Sequence, residues 1–575
     1  MSQFRIEAEN MNLVGFRIEA NSAASGQNVI SLVNGGVAET GFASFHFTGD
    51  SGLYKVIVGY FDENDGASQF EVRLKQKNAI VDAWSANQNL GSAFANKQTS
   101  TLRTIATQLA ISQGDTFQIK AIEDAGEPAR IDFMEFVPVT LPATTSAIIN
   151  GTSGNDRLVG DWRNNTLNGF AGNDILEGRG GNNTLNGGTG IDTADYAFAA
   201  NGIIASLKAG TVLKPVFGTT TPKVMPLGDS ITAGEHKVDP TPGTYRIQLW
   251  KNLRADNLSI DFVGSQFNGP PSLGDKNHEG RGGWTINQIA SLVDRGIIKT
   301  YQPQIVLLMI GTNDVLRRNS LSTLTSDLSN LIDRISAESG NTRIFVSSIA
   351  PIDPAAKGTT IANLAASFNA LLPDFVKNKV AQGKKVTYVN AGGSLNLNDL
   401  VSDGFHPNVA GYNKIGNAWY DALVKRDTLT GIENLIGSNF ADKLVGNTGN
   451  NTLKGGLGKD TLTGGGGADN FFYKEAKEGG DIITDFSFDD RLTFSSTGFG
   501  NGLVRGVKLR TTAAETGVFV SGANPTPLGS SANFLYNTNT GVLRFDPDGI
   551  GPSSATTIAT LAGAPSLSST QIYIS

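Results

Sequence analysis

The chain of 575 residues contains no cysteine. Disulfides, thiolate metal sites and cysteine nucleophiles are therefore excluded. Charge is also scarce, with Asp, Glu, Lys and Arg at 17% of residues against an ordinary ~25%. The 46 Lys and Arg form no basic block, and the net charge of −7 is mild for this length. Nucleic acid and anionic membrane surfaces are thus not expected partners. The longest strongly apolar run, 305–310, falls far short of the ~18 residues needed to cross a bilayer, so no transmembrane segment is expected. The opening MSQFRIEAEN lacks the basic stretch and apolar stretch of a cleaved export signal. Export would have to use another signal.

Glycine, by contrast, is abundant at 69 residues. Much of it recurs with a period of nine, which is read before anything else. From Gly151 the chain reads GTSGNDRLV, GDWRNNTLN, GFAGNDILE, GRGGNNTLN, GGTGIDTAD. From Gly437 it reads GSNFADKLV, GNTGNNTLK, GGLGKDTLT, GGGGADNFF. The sixth position is always Asp or Asn, and the eighth is apolar, as at Leu158, Leu167, Leu176, Leu185, Leu444, Leu453, Leu462 and Phe471. Six glycine-rich residues make a tight turn, and three make a short strand whose middle side chain points inward. Stacked turns would place carboxylates and backbone carbonyls around a hard cation such as Ca²⁺. Repeats two apart should share an edge. Asp156, Asp174 and Asp192 then line one edge and Asn165 and Asn183 the other, while Asp442 and Asp460 share an edge opposite Asn451 and Asp469. The Asp edges are expected to hold ions more strongly, because Asn lacks the charge. These segments resemble the RTX (repeats-in-toxin) calcium β-roll. The resemblance implies structural Ca²⁺ with Asp156, Asp174, Asp192, Asp442, Asp460 and Asp469 as ligands.

Between the arrays the period changes. Apolar runs at 223–227, 305–310, 344–349 and 386–389 alternate with helical patterns such as Ile361, Leu364, Phe368, Leu371, Leu372, Phe375. Strands alternating with helices imply a parallel sheet covered on both faces, with its reactive loops beyond the strands' C-terminal ends. The flanking sequences read as consecutive pieces of one repeat region, so the block is expected to be an insertion. The expected organisation is a β-sandwich over 1–138, a linker at 139–148 and a first roll part at 149–212. An inserted α/β/α domain at 213–425, a second roll part at 426–472 and a β-rich C-terminal region at 473–575 complete it.

The chemistry lies in the inserted block. VMPLGDSITAG puts Ser230 just after the first strand, IGTND puts Asn313 just after another, and SDGFHPNVAGY puts Asp403 and His406 three residues apart. A serine hydroxyl needs a base to become nucleophilic, and His406 with Asp403 behind it supplies one. With only four His in the chain, a DGFH at this position carries weight. The block resembles an SGNH (GDSL-type) hydrolase of flavodoxin-like fold. That resemblance implies Ser230 as nucleophile, His406 as base and Asp403 as its partner. Asn313 and Gly283 of HEGRGGWTI would be oxyanion donors beside the Ser230 N–H. No G-x-S-x-G surrounds Ser230, so the α/β-hydrolase elbow does not apply. GTYRIQLWKNL, IDFVGSQFNGP, NHEGRGGWTINQIA and VLLMIGTNDV are similar to family 3 carbohydrate esterases, which include acetylxylan esterases, with a departure at Arg281-Gly282.

The N-terminal FRIEAEN, GYFDENDG and ARIDFMEFVPV resemble calcium-containing carbohydrate-binding modules of the family 6/35/36 type. By that likeness Glu7, Glu9 and Asp132 are ligands of a structural Ca²⁺. Tyr60 and Trp84 are candidate sugar platforms or core residues. The tail, DIITDFSFDDRLTF and FLYNTNTGVLRFDPDGIG, is similar to RTX proteins exported through a type I ABC exporter by a C-terminal signal. The resemblances together imply a secreted serine esterase that takes short acyl groups, acetyl foremost, from polysaccharide without a catalytic cofactor. The alternatives are a lipase or general short-chain carboxylesterase and, in another class, a calcium-dependent adhesive protein.

Overall fold

The computed structural model describes residues 4–575 apart from 33–39, 49–51, 63–66, 76–78, 87–94, 98, 112–114, 124–128, 139–146, 235–242 and 513–516. Most of the expected linker and part of GYFDENDG lie outside the described residues. The chain divides into two compact units, 1–186 and 187–575.

In the first unit, two antiparallel sheets face each other across one core. One pairs Arg130–Pro138 with Phe4–Glu7, Asn28–Leu32 and Gly52–Phe61; the other pairs Thr116–Ile122 with Thr40–His46 and Gln69–Leu74. Alternation along Thr116–Ile122 sends Phe117, Ile119 and Ala121 inward, where each is fully buried, as a half-buried strand requires. Tyr60 and Trp84 belong to this core. At 2% and 8% exposure they pack on Phe70, with ring centroids 5.4 and 5.2 Å away, so neither offers a face to a sugar. The same unit ends in roll turns. Ala147–Asn150 runs parallel to Asn165–Ala171, and Arg157–Val159 parallel to Ile175–Glu177.

The second unit holds the rest of the roll and the α/β block. Thr193–Asp195 pairs in parallel with Asn434–Ile436, although more than 200 residues separate them. The intervening chain leaves the roll as Thr211–Pro215 and returns as Val424–Thr430, and these two strands are antiparallel partners. The boundaries expected at 212/213 and 425/426 therefore fall inside paired strands. At this neck the fully buried Asp427 accepts hydrogen bonds from the Tyr196 hydroxyl at 3.0 Å and Lys214 Nζ at 2.7 Å. In one sheet Lys443–Val445 then pairs with Thr461–Thr463, and in the other Thr452–Lys454, Asn470–Tyr473, Arg491–Phe494 and Ile572–Ile574 follow in order, all parallel.

The block's sheet runs in the order 277–280, 223–228, 305–309, 343–347, 386–389, all parallel. Both its faces are covered, which is why Ile305–Met309 is apolar throughout. Ile305, Leu307 and Met309 pack toward helices Thr244–Ala255 and Val409–Leu423, while Val306 and Leu308 pack toward Ile286–Val293, Leu321–Glu338 and Thr359–Ala381. Among the described residues no helix is long and apolar enough to cross a membrane.

Candidate active site

Three neighbouring strands end at one sheet edge, and each delivers a candidate residue. Strand Lys223–Gly228 runs into the one-turn helix Ser230–Ala233, capped by the Asp229 side chain accepting the Ile231 N–H at 3.0 Å. A Cβ at Gly228 would lie 2.1 Å from the Met309 carbonyl oxygen, so glycine is what lets this strand end sit against its neighbour. Strand Ile305–Met309 leads to Asn313 in helix Thr312–Leu316. Strand Asn277–Gly280 leads to Gly283, whose φ of +76° suits glycine.

Asp403 and His406 come from the loop before helix Val409–Leu423 and meet Ser230 there. Ser230 Oγ lies 2.8 Å from His406 Nε2, and His406 Nδ1 lies 2.6 Å from Asp403 Oδ2. The other Asp403 oxygen accepts the backbone N–H groups of Phe405 and His406 at 3.1 and 3.0 Å, which fixes the carboxylate. Burial pushes the Asp403 pKa up, but the hydrogen bonds from the His406 side chain, its backbone and Phe405 outweigh it and hold the carboxyl below its ordinary range. Beneath the serine, Asp229 is fully buried, and burial raises its carboxyl to about 7. Asn313 Nδ2 donates to the Trp284 carbonyl at 2.9 Å, leaving its second N–H for another acceptor. Arg317 Nη2 donates to the Gly283 carbonyl at 3.1 Å, so Gly283, Trp284 and the 312–317 segment form one connected wall. The arrangement holds a hydroxyl, an imidazole, a carboxylate and a side-chain amide at one sheet edge, which are the parts of acyl-transfer chemistry.

Residues 227–414 match the GDSL-like lipase/acylhydrolase family. The α/β block is a GDSL-type esterase domain. It resembles family 3 carbohydrate esterases, and residues 147–169, 159–194 and 436–471 are RTX calcium-binding nonapeptide repeats. Over 228 residues the chain is 31% identical to the "Multidomain esterase" of Ruminococcus flavefaciens, covering 35% of this chain and 28% of that protein. Over 138 residues it is 36% identical to the "Putative endoglucanase X" of Acetivibrio thermocellus, covering 24% and 56%. A solved Clostridium thermocellum family 3 carbohydrate esterase is 41% identical, covering 35% of this chain and 94% of that one, with a TM-score of 0.31. The matches span only 28% and 56% of the two curated relatives' lengths.

Outside the esterase domain, the sixth-position residues of the roll form ladders. The backbone N–H of each donates to the side chain 18 residues on: Asp156 to Asp174 at 2.7 Å, Asn165 to Asn183 at 2.9 Å, Asp442 to Asp460 and Asn451 to Asp469 both at 2.8 Å. Repeats two apart therefore stack on one edge. Asp192 sits at the insertion, where its N–H donates to Glu433 Oε2 at 2.8 Å. Whether these residues fit a cation is tested by the surroundings. Asp460 Oδ2 is buried with no hydrogen-bond partner, and a Cβ at Gly455 would lie 2.1 Å from it, so the first-position glycine cradles that oxygen. Burial raises the carboxyls of Asp442, Asp460 and Asp469 to about 7, 8 and 6, as unneutralised anions would be. Among the described residues no three acidic or imidazole side chains close on a single metal position, so carbonyl oxygens must complete any ion's shell. In the sandwich, two of the three expected ligands meet at Ser25, whose hydroxyl lies within hydrogen-bond reach of Glu7 and Asp132 and whose N–H donates to Asp132 at 3.0 Å, while Glu9 Oε1 lies beside neighbouring Gly26.

The ladder extends beyond the residues that periodicity identified. Glu433 occupies the sixth position of TLTGIENLI, which continues the second array backward in phase. Asp481 and Asp490 accept from Asp460 and Asp469 at 2.9 and 2.8 Å with a spacing of 21 rather than 18. A short insertion breaks the phase there and hides them from a strict period. Asp229 carried a signal only in its adjacency to Ser230.

Proposed function

We propose that this chain is a secreted serine esterase that removes short acyl groups, acetyl foremost, from polysaccharide. Ser230 Oγ attacks the ester carbonyl while His406 Nε2 takes its proton, and Asp403 holds the imidazole and stabilises its charge. The Ser230 and Gly283 N–H groups and Asn313 Nδ2 donate to the oxyanion, each worth ~10²–10³ in rate if lost. His406 then gives its proton to the departing sugar oxygen, a water takes the same route to release the acid, and no cofactor enters. The unbroken hydrogen-bonded chain Ser230–His406–Asp403 is the observation that carries this reading.

Calcium is the structural ion of the roll, held by Asp156, Asp174, Asp192, Asp442, Asp460 and Asp469 with backbone carbonyls. When bound it neutralises the buried carboxylates and favours the folded roll. A second Ca²⁺ at Glu7, Glu9 and Asp132 would tie the N-terminal module, whose role is to tether the enzyme to its polymer. Export runs through a type I ABC exporter, with the roll folding in extracellular calcium.

Acetate release from a panel of acetylated polysaccharides, set beside hydrolysis of long-chain aryl esters, tests the reading. Turnover of polymer-bound acetyl is expected. Hydrolysis confined to long-chain esters would replace this reading with a lipase.

A further inference from the structure

Three cationic side chains contact groups of the proposed chemistry or their neighbours, and one of them, Arg281, is ion-paired to Glu279. Arg317 is exposed at the end of helix Thr312–Leu316 and is bonded to the Gly283 carbonyl. Lys357 Nζ lies 4.9 Å from the centre of the Phe405 ring, and that ring lies 4.2 Å from the His406 ring. Arg281 stands 5.5 Å over Trp284, the residue whose carbonyl holds Asn313. All three therefore sit one contact away from a group of the proposed chemistry.

The carboxylates around them are already engaged or sealed away. Glu279 takes the Arg281 Nε at 2.9 Å, and Asp403 takes His406. Asp229 and Asp314 are buried, with Asp314 accepting the Ile286 N–H. The Asp353 side chain caps helix Pro354–Lys357 by accepting the Ala355 N–H at 2.8 Å. Among the described residues, Arg317 and Lys357 make no ion pair within 4.0 Å. In a chain of net charge −7, one unpaired cation thus holds the Gly283 carbonyl and another lies over the ring that packs on His406.

Resting on the esterase reading above, we infer that the deacylated polymer is acidic, a glycan whose uronic-acid carboxylates pair with Arg317 and Lys357. A neutral glycan presents hydroxyls, which need no positive rim. A uronate presents a planar carboxylate, which a guanidinium engages through two parallel hydrogen bonds. Complementary charge of this kind acts on partner choice and encounter rate, and salt screens it.

The test compares acetate release by the calcium-loaded full chain from acetylated polygalacturonate and from the same polymer with its carboxylates methyl-esterified. At low ionic strength the acidic form should be preferred in kcat/KM by about tenfold, the scale of two exposed ion pairs, and the preference should shrink toward unity at ~1 M salt. The double variant Arg317→Ala, Lys357→Ala should lose the preference, chiefly through KM. The charge-keeping pair Arg317→Lys, Lys357→Arg should keep most of it, which separates charge from damage to the wall. Equal rates on the two polymers, or a preference that survives the double alanine variant, would overturn the inference. An aryl acetate serves as the independent control. If the wild-type protein fails to turn it over, the esterase reading falls; if it turns over while the polymer ratio is one, only the acidic-substrate inference falls.

Discussion

Ser230 Oγ rests 2.8 Å from His406 Nε2 at a buried position, so its hydroxyl has a base at hand before substrate arrives. Ser230→Ala should lower kcat on an aryl acetate by about 10⁴-fold or more while leaving calcium binding unchanged. Asp403→Asn should cost roughly 10²–10⁴ in kcat with the circular dichroism spectrum unchanged, because the amide favours the wrong imidazole tautomer. Asp229 gives a pH effect of definite sign. Its carboxyl, raised to about 7 by burial, holds a proton in the folded state that the unfolded chain has lost above about pH 4. Its contribution to stability therefore declines as pH rises from about 4 to 7 and stays low above. Asp229→Asn keeps the acceptor for Ile231 and removes the titration, so thermal melts between pH 5 and 8 should show a flatter dependence than wild type. A steeper one would refute this account. At this scale order along the chain is itself the signal for Ser230, Asp403 and His406, which the structure joins in one hydrogen-bonded chain. The sequence was not readable where burial decides. Tyr60 and Trp84 offer the same aromatic rings whether on a surface or in the Phe70 core, and only the packing of two sheets places them.

The roll turn owes its shape to contact between its first and sixth residues. Gly455→Ala would drive a methyl group into Asp460 Oδ2, and a loss of about 1–3 kcal/mol in the stability of the roll is expected, measured by denaturation in saturating calcium. The edge bearing Asp442, Asp460 and Asp481 is carboxylate at every step, whereas the facing edge of the same array includes Asn451. Ion density should accordingly be stronger on the first, and Asp460→Asn should reduce the number of calcium ions bound per chain, counted by equilibrium dialysis. Equal density on both edges of the array would count against the charge argument. The nonapeptide period exposed most of these elements because nine residues are one strand and one turn. Asp481 and Asp490 escaped it because a few extra residues lengthen one turn without disturbing the ladder that follows.

On the scale of the second unit, the esterase domain and the roll share material. Leu213 and Val424, in the strands that leave and re-enter the roll, are buried in the same core as Tyr245 and Trp419 of the catalytic domain. Removing calcium should therefore do more than collapse the β signal of the roll. Heat inactivation of aryl acetate turnover should shift to lower temperature by several degrees in chelator, as expected when a stabilising ligand is withdrawn from a coupled fold. Superimposable inactivation curves with and without chelator would show that the two fold independently. The insertion was legible from the continuity of the flanking repeats, but the neck around Asp427 was not, since Tyr196, Lys214 and Asp427 are brought together only by the antiparallel pairing of exit and return.

The direct pairing of Thr193–Asp195 with Asn434–Ile436 also has a mechanical consequence. A pull applied to the two ends of the chain, as on an enzyme anchored to a moving fibre, is carried across that pairing from one roll strand to the next. The catalytic domain hangs from the line of force as a closed side loop. Until the pairing shears, tension in the chain does not reach the serine.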